Sequence, residues 1–399
     1  MLTEIRVANY KSISGPLALP LRKINVFLGK NNSGKTSVAR LPLLLASIFS
    51  ERRITSSPVI PLVNNDLAFG SSVRELAHRQ SPHLQLGLGV SFNNFLGNGN
   101  GFDVWVQPHR SFLEEGLIVT KFTSLEPEVN IEWDRVPPMF GEVKYNLRVE
   151  GFQGVMPLPE ERIARMNLEH MRDSLIELIG RIDHLTSMRY RLATVFEKRD
   201  AMDTIDHGGS EAPYRMASSE KLERGVAAWY KQHLGADVAI EAEANSFRLV
   251  MYDATGEAIN LARTGQGLQQ ILPVVTSLVA ATLPLMQPRV LVVEEPELHL
   301  HPAAHGAVAD LFVDAANAER APQMFVETHS ENFVLRLRRR VAEGTLSASD
   351  LNILWFDQVD GVTHIREVNV LPDGTVTNWP RGVFSEDLDE VRAITGSQR

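Results

Sequence analysis

The chain has 399 residues, a formal net charge of −9, 44% apolar residues and no cysteine. That length suffices for one large α/β domain or two ordinary ones, and the missing cysteines exclude disulfides, thiolate zinc sites and thiol catalysis. The acidic balance leaves any nucleic-acid role to a local patch or a partner. No apolar run approaches the roughly 20 residues of a membrane span, and no secretory leader opens the chain, so a cytoplasmic protein is expected.

In chain order, Ile5, Val7 and Tyr10 alternate as in a strand, and Ser14-Gly15-Pro16 marks a turn. Ile24–Leu28 is an apolar run that stops at Gly29, as a buried strand entering a loop would. Val38, Leu41, Leu44, Leu45 and Ile48 then recur at helical spacing, with Pro42 placed to kink the helix. Residues 61–157 alternate short β-rich runs (Leu84–Phe92, Phe102–Val106, Leu117–Phe122, Val143–Val149) with Gly, Asn and Pro, and read as an antiparallel sheet covering the site. Residues 158–236 carry helical periodicity through Ile163, Met166, Met171, Leu175, Leu178 and Ile182, and read as a helical lobe. The stretch from His207 to Pro213 interrupts it as a flexible loop.

From 237 onward strands and helices alternate. Val238–Ala242 and Phe247–Tyr252 form a hairpin, Leu268–Thr282 a helix, Val290–Val293 a strand and Ala303–Ala316 a helix. Met324–Thr328 is a strand, Asn332–Arg340 a helix, and residues 352–371 a hairpin turning at Asp360-Gly361. Arg336, Arg338, Arg339 and Arg340 read as a solvated helix face, with a phosphate-contacting patch as the other reading. The expectation is one domain over 1–399, with 1–60 and 237–399 forming its nucleotide-binding core.

Gly29-Lys30-Asn31-Asn32-Ser33-Gly34-Lys35-Thr36, followed by Ser37, fits G-x-x-x-x-G-K-[ST] between a strand and a helix. In such a loop the residues from Gly29 to Ser37, Asn31, Asn32, Ser33 and Gly34 among them, wrap phosphates with backbone N–H groups. Lys35 neutralises the outer phosphates of ATP and Thr36 offers its hydroxyl to Mg²⁺. Val290–Val293 then delivers two carboxylates at a strand tip. Adjacent side chains diverge there, so Glu294 is assigned to the Mg²⁺ shell and Glu295 to the attacking water. Glu327-Thr328-His329-Ser330 closes another apolar strand, where a neutral His329 can donate to the γ-phosphate. Gly265, Gln266 and Gly267 open a helix as a second anion loop. One domain cannot aim two such loops at one γ-phosphate, so this loop is assigned to the ATP of a second subunit.

These motifs, in this order with T-G-Q-G-L-Q-Q-I-L-P and L-V-V-E-E-P-E-L-H-L-H-P between them, resemble the ABC-type AAA ATPases of the overcoming-lysogenization-defect group, which is similar to SMC and RecF heads. The likeness covers residues 1–50 and 237–399. It implies an α/β P-loop ATPase head with an inserted antiparallel sheet and helical lobe. It also implies a homodimer, or an assembly of dimers, with Gly265–Gly267 as signature loop and Glu297, Leu298, His299 and His301 in the segment crossing the interface. Gln80 and Gln85 are candidates for the Mg²⁺-sensing glutamine. Asn378 to Phe384 resembles the tail of a stand-alone subfamily. Glu386, Asp387, Asp389 and Glu390 read as a solvated acidic tail, so no Toprim nuclease is expected in this chain. The family implies a prokaryotic anti-phage ATPase that controls a partner effector such as an HNH-type nuclease, with DNA a possible ligand; the rival is a RecF-like repair ATPase acting directly on DNA.

Overall fold

A computed structural model of the chain describes residues 1–64, 67–93, 99–110, 115–124, 128–132, 146–200, 207–284 and 289–380. Strands β1 (Leu2–Tyr10) and β2 (Ile13–Pro20) form a hairpin, and β3 (Ile24–Gly29) leads into the phosphate loop and helices α1 (Lys35–Ala39) and α2 (Leu41–Phe49). Next come β4 (Leu86–Asn93), β5 (Gly99–Arg110), β6 (Glu115–Ser124) and β7 (Val129–Glu132). Helix α3 (Arg162–Ile179), β8 (Ile182–Leu185), α4 (Glu220–Leu234), β9 (Asp237–Ala242) and β10 (Ser246–Tyr252) follow. The chain then runs through α5 (Gln266–Gln270), α6 (Leu272–Ala281), β11 (Val290–Glu294), α7 (Pro302–Ala316), β12 (Gln323–Glu327) and α8 (Glu331–Ala342). It closes with β13 (Leu351–Val359), β14 (Val362–Val370) and β15 (Val376–Thr377).

Two larger sheets organise most of these elements, while β9 and β10 pair in a smaller separate sheet. The central one has the order β8-β11-β12-β3-β13-β14-β15, parallel from β8 to β13 and antiparallel beyond. The outer one is antiparallel, in the order β7-β6-β5-β4-β1-β2. Both faces of the central sheet are covered, and its inner strands β11 and β12 carry apolar runs, Val290–Val293 and Met324–Val326. Ile24, Val26 and Leu28 of β3 enter the layer built by α4, α6, α7 and α8, while Phe27 points the other way, towards α2 and the outer sheet. There it stacks on Phe325 with ring centroids 6.2 Å apart and meets Phe356 edge-on at 5.7 Å. All nine residues of α2 are buried between the layers, and Phe49 at its end packs on Phe102 of β5. Each large apolar side chain so buried contributes about 1.5–3 kcal/mol, which fixes the helix that follows the phosphate loop. No helix among the described residues is long and apolar enough to cross a membrane.

The structure corrects four readings of the sequence. First, the hairpin reverses at Lys11 (φ 50), with Asn9 also left-handed (φ 55), and Ser14-Gly15-Pro16 lies inside β2. Pro16 is tolerated because β2 is the sheet edge. Second, the antiparallel sheet is not an insertion alone, since β1 and β2 complete it. Third, the first helix of the helical lobe ends at Gly180: Ile182 opens β8, a strand of the central sheet, and Ile163 and Met166 face solvent. Fourth, the loop after His207 is packed. Thr186 and Tyr190 donate backbone N–H groups to the carbonyls of His207 and Gly208, and Gly209 (φ 79) sits so close to Pro273 that a Cβ would lie 2.2 Å away.

Pro42 falls in the first turn of α2, where its missing N–H costs nothing, so it starts a second helix after Arg40. The arginines of α8 are engaged in pairs rather than open to ligand. Arg336 and Arg340 bind Asp310, Arg339 and Arg340 bind Glu343, and Arg338 donates to the carbonyl of Gly374. Residues 143–145, 381–384 and the acidic tail residues lie outside the described residues.

Candidate functional site

Gly29 ends β3 at φ 145, and a Cβ there would lie 2.1 Å from the Phe356 carbonyl oxygen of the neighbouring strand. Gly34 (φ 95) precedes α1, and a Cβ there would meet Thr363 Oγ1 at 2.6 Å. Thr363 Oγ1 donates to the Ser33 carbonyl at 2.9 Å and lies 2.7 Å from Ser12 Oγ, so both sheets hold the loop. Asn31 and Asn32 at the loop's crest are exposed, Asn32 in the left-handed region (φ 63). The Lys35 ammonium is buried and donates to the carbonyls of Gly29 (2.9 Å) and Lys30 (2.7 Å). Burial holds its pKa below the usual lysine value, against the pull of Glu327 and Glu295.

Carboxylates surround this loop unequally. Glu294, at the tip of β11, is buried and takes Arg40 Nε at 2.6 Å and Nη2 at 2.9 Å, with His184 Nε2 2.9 Å from Oε1. Burial opposes its ionisation, but the hydrogen bonds from His184 and Arg40 overcome that and hold its pKa at about 2. Glu295 is the next residue, at φ 46, and its N–H donates to the Glu327 carbonyl at 2.7 Å. Its half-buried carboxylate accepts no hydrogen bond among the described residues. Glu327, at the tip of β12, accepts the Thr36 hydroxyl at 2.7 Å and lies 3.8 Å from the Lys35 ammonium. Burial pushes its pKa up, Thr36 and Lys35 pull it down, and Glu294 and Glu295 push it up again.

Beyond Glu327, the Thr328 hydroxyl and the His329 N–H both donate to Glu297 Oε1, at 2.7 and 2.9 Å. His329 itself is exposed at the strand end. Partial desolvation, then the nearby Lys35 charge, keeps its pKa below the ordinary histidine value, so the ring is neutral at pH 7. Ser330 caps α8 by accepting from Phe333 N at 3.1 Å, which explains why the strand ends and a helix starts there.

Lys35, Thr36, Glu294, Glu295 and His329 thus gather at the tips of β3, β11 and β12. Gly265 and Gln266 do not join them: both are exposed at the start of α5, and a Cβ on Gly265 would meet nothing within 4 Å. Gly267 packs on the His299 carbonyl, 2.6 Å from where its Cβ would be, which joins the start of α5 to the segment after Glu295. Gln85 donates to Thr120 within the outer sheet and Gln80 is exposed.

Four contributors went unread in the sequence: Arg40, His184, Arg189 and the side chain of Glu327. Gly180 marked the end of α3 and so the approach to His184, whereas nothing local marks Arg189.

Among the described residues no three His, Cys, Asp or Glu side chains gather as a metal cage. The oxygen donors Thr36, Glu327 and Glu294 fit a hard ion such as Mg²⁺, which completes its shell with water and phosphate oxygens.

Comparison with known proteins agrees with this architecture. The AAA ATPase domain family matches residues 104–334, more than half of the chain, and the chain belongs to that family. It is an ATPase, similar in fold to SMC heads. The OLD nuclease of Thermus scotoductus is 22% identical over 348 residues, covering 84% of this chain; the chain spans 60% of the length of that relative. An SMC head solved with the C-winged helix domain of ScpA superposes with a TM-score of 0.55 at 12% identity, covering 92% of this chain and 98% of that one.

Proposed function

We propose that two copies of this chain close face to face on two ATP molecules with Mg²⁺ and hydrolyse them, and that this cycle switches a bound effector. The observation that supports the reading is the exposure of this loop: Gly265 and Gln266 are open to solvent at the start of α5, and a Cβ at Gly265 would meet nothing within 4 Å.

In each site the backbone N–H groups of Gly29 to Ser37 cradle the phosphates, and Lys35 turns from its carbonyls to the outer phosphate oxygens. Thr36, with Glu327 and Glu294 behind it, would hold Mg²⁺, which would supply positive charge beside the phosphates. Glu295, with its carboxylate unengaged, orients the attacking water and takes its proton. Neutral His329 donates to the γ-phosphate, and the partner's signature loop adds N–H donors where charge develops. Closure is tied to the γ-phosphate, so hydrolysis opens the pair and shifts whatever binds it.

We place this switch in the cytoplasm of a prokaryote, in anti-phage defence, with a nuclease such as an HNH enzyme as effector. Support comes from the motif order and from the likeness to a nuclease of the OLD type. The test is recovery of partners on tagged Glu295→Gln protein with ATP and Mg²⁺ from its native host. A nuclease or other toxic protein in stoichiometric amount supports the proposal. Recovery of DNA or repair factors alone replaces it with direct action on DNA.

A further inference from the structure

Arg189 follows β8 and is buried, yet its guanidinium donates only to backbone carbonyls. Nη2 reaches those of Glu294 and Glu295, each at 2.8 Å, and Nη1 reaches that of Gln270 at 3.3 Å. Burying a guanidinium costs several kcal/mol, and burial brings its pKa down to about 10 against the attraction of Glu297, Glu295 and Glu294. A lone fastening of one turn needs no such group. These carbonyls, however, belong to two elements: the turn that carries Glu295, and the last residue of α5, the helix that Gly265–Gly267 open. Glu295 sits in the left-handed region with its N–H held by Glu327 and its carbonyl held by Arg189. The peptide on each side of Glu295 is therefore pinned, and one of the two pins also grips the signature helix. Helix α5 is only five residues long, so a shift at Gly265 is carried to Gln270 with little loss.

We propose that Arg189 is a positioning residue that couples the signature loop to Glu295 of the same chain. The state of one ATP site then sets the placement of the base in the other. This rests on the reading above, in which Gly265–Gly267 face the partner's ATP and Glu295 is the base. Arginine suits the task because its planar fork spans two elements, while a lysine offers a point donor.

The test uses mixed dimers. Wild-type chain is titrated with an excess of chain carrying both Glu295→Gln and Arg189→Met, and in parallel with an excess of chain carrying Glu295→Gln alone. In both mixtures the surviving base lies on the wild-type chain, and only the partner's signature helix differs. A role confined to supporting the local turn would leave the two rates equal. Coupling lowers turnover in the first mixture by about fivefold or more, the range of ordinary site–site coupling, with KM for ATP unchanged. Equal rates overturn the proposal. Arg189→Lys, which keeps the buried charge, replaces the methionine if that variant fails to fold or to bind ATP. If Glu295→Gln alone hydrolyses ATP at the wild-type rate, or its excess leaves wild-type turnover unaltered, the dimeric reading fails and not the coupling.

Discussion

The Thr36 hydroxyl donates to Glu327 at 2.7 Å, although the two residues stand 291 positions apart, Thr36 on the helix that follows β3 and Glu327 at the tip of the neighbouring parallel strand β12. Glu294, by contrast, is held by Arg40 and His184. Two carboxylates therefore flank the phosphate loop, one accepting the Thr36 hydroxyl and one locked in an ion pair.

Glu327→Gln is expected to raise the Mg²⁺ concentration for half-maximal turnover by about tenfold or more, as loss of an ion's supporting carboxylate commonly does. Binding of Mn²⁺ followed by electron paramagnetic resonance with ATP present checks the same shift without turnover. A larger shift in Glu294→Gln than in Glu327→Gln would make Glu294, not Glu327, the main carboxylate behind the ion.

Glu294 makes stability depend on acid. Its pKa of about 2 lies below the ordinary 4.5, so it favours the folded state by about 3 kcal/mol above pH 4.5. That contribution fades as pH falls from 4.5 towards 2. Melting temperatures of wild type and Glu294→Gln should therefore differ most at neutral pH and converge near pH 2. Curves that stay parallel across that window would contradict the assignment.

Two glycines should fail in opposite ways. Gly29→Ala places a methyl group against the Phe356 carbonyl at a left-handed φ, with strain of roughly 1–3 kcal/mol before the clash is counted, so its melting temperature falls and ATP binding is lost. Gly265→Ala meets open space at an ordinary φ of −62. It should melt like wild type and bind ATP, yet lose ATP-dependent association in sedimentation and most of its turnover.

His329 should set the acid limb of the rate profile. Its pKa lies below the usual 6.5, and the neutral ring is the working form. Activity should therefore rise with pH through a value below 6.5, then level off. His329→Asn should flatten that limb and lower the plateau.

The parts of the site that lay in contiguous motifs were legible: a strand, a glycine-rich loop and a helix for Gly29–Ser37, and four apolar residues ahead of Glu294 and Glu295. What escaped came from distant chain. Ile182 continued the spacing of Leu175 and Leu178, and Asp183-His184 did not resemble a central strand, so β8 passed as helix. Asp183 is tolerated there because Arg215 pairs with it, a contact no local pattern announces. Gly208-Gly209 suggested flexibility from composition, while the conformation itself serves close packing on Pro273. Arg40 is four residues beyond Thr36, yet its partner lies 254 residues downstream.

The strand order has a consequence for synthesis. Strand β3 carries the phosphate loop near the start of the chain, but its neighbours are β12 and β13, and Asn25 in it bonds the carbonyl of Met324, 299 positions away. Until the ribosome has delivered both neighbours, β3 keeps at least one open edge, and such distant pairings form slowly. The polypeptide must be almost wholly made before its nucleotide loop has walls. A product truncated ahead of β12 therefore lacks Glu327 and both strands that flank the phosphate loop's own strand.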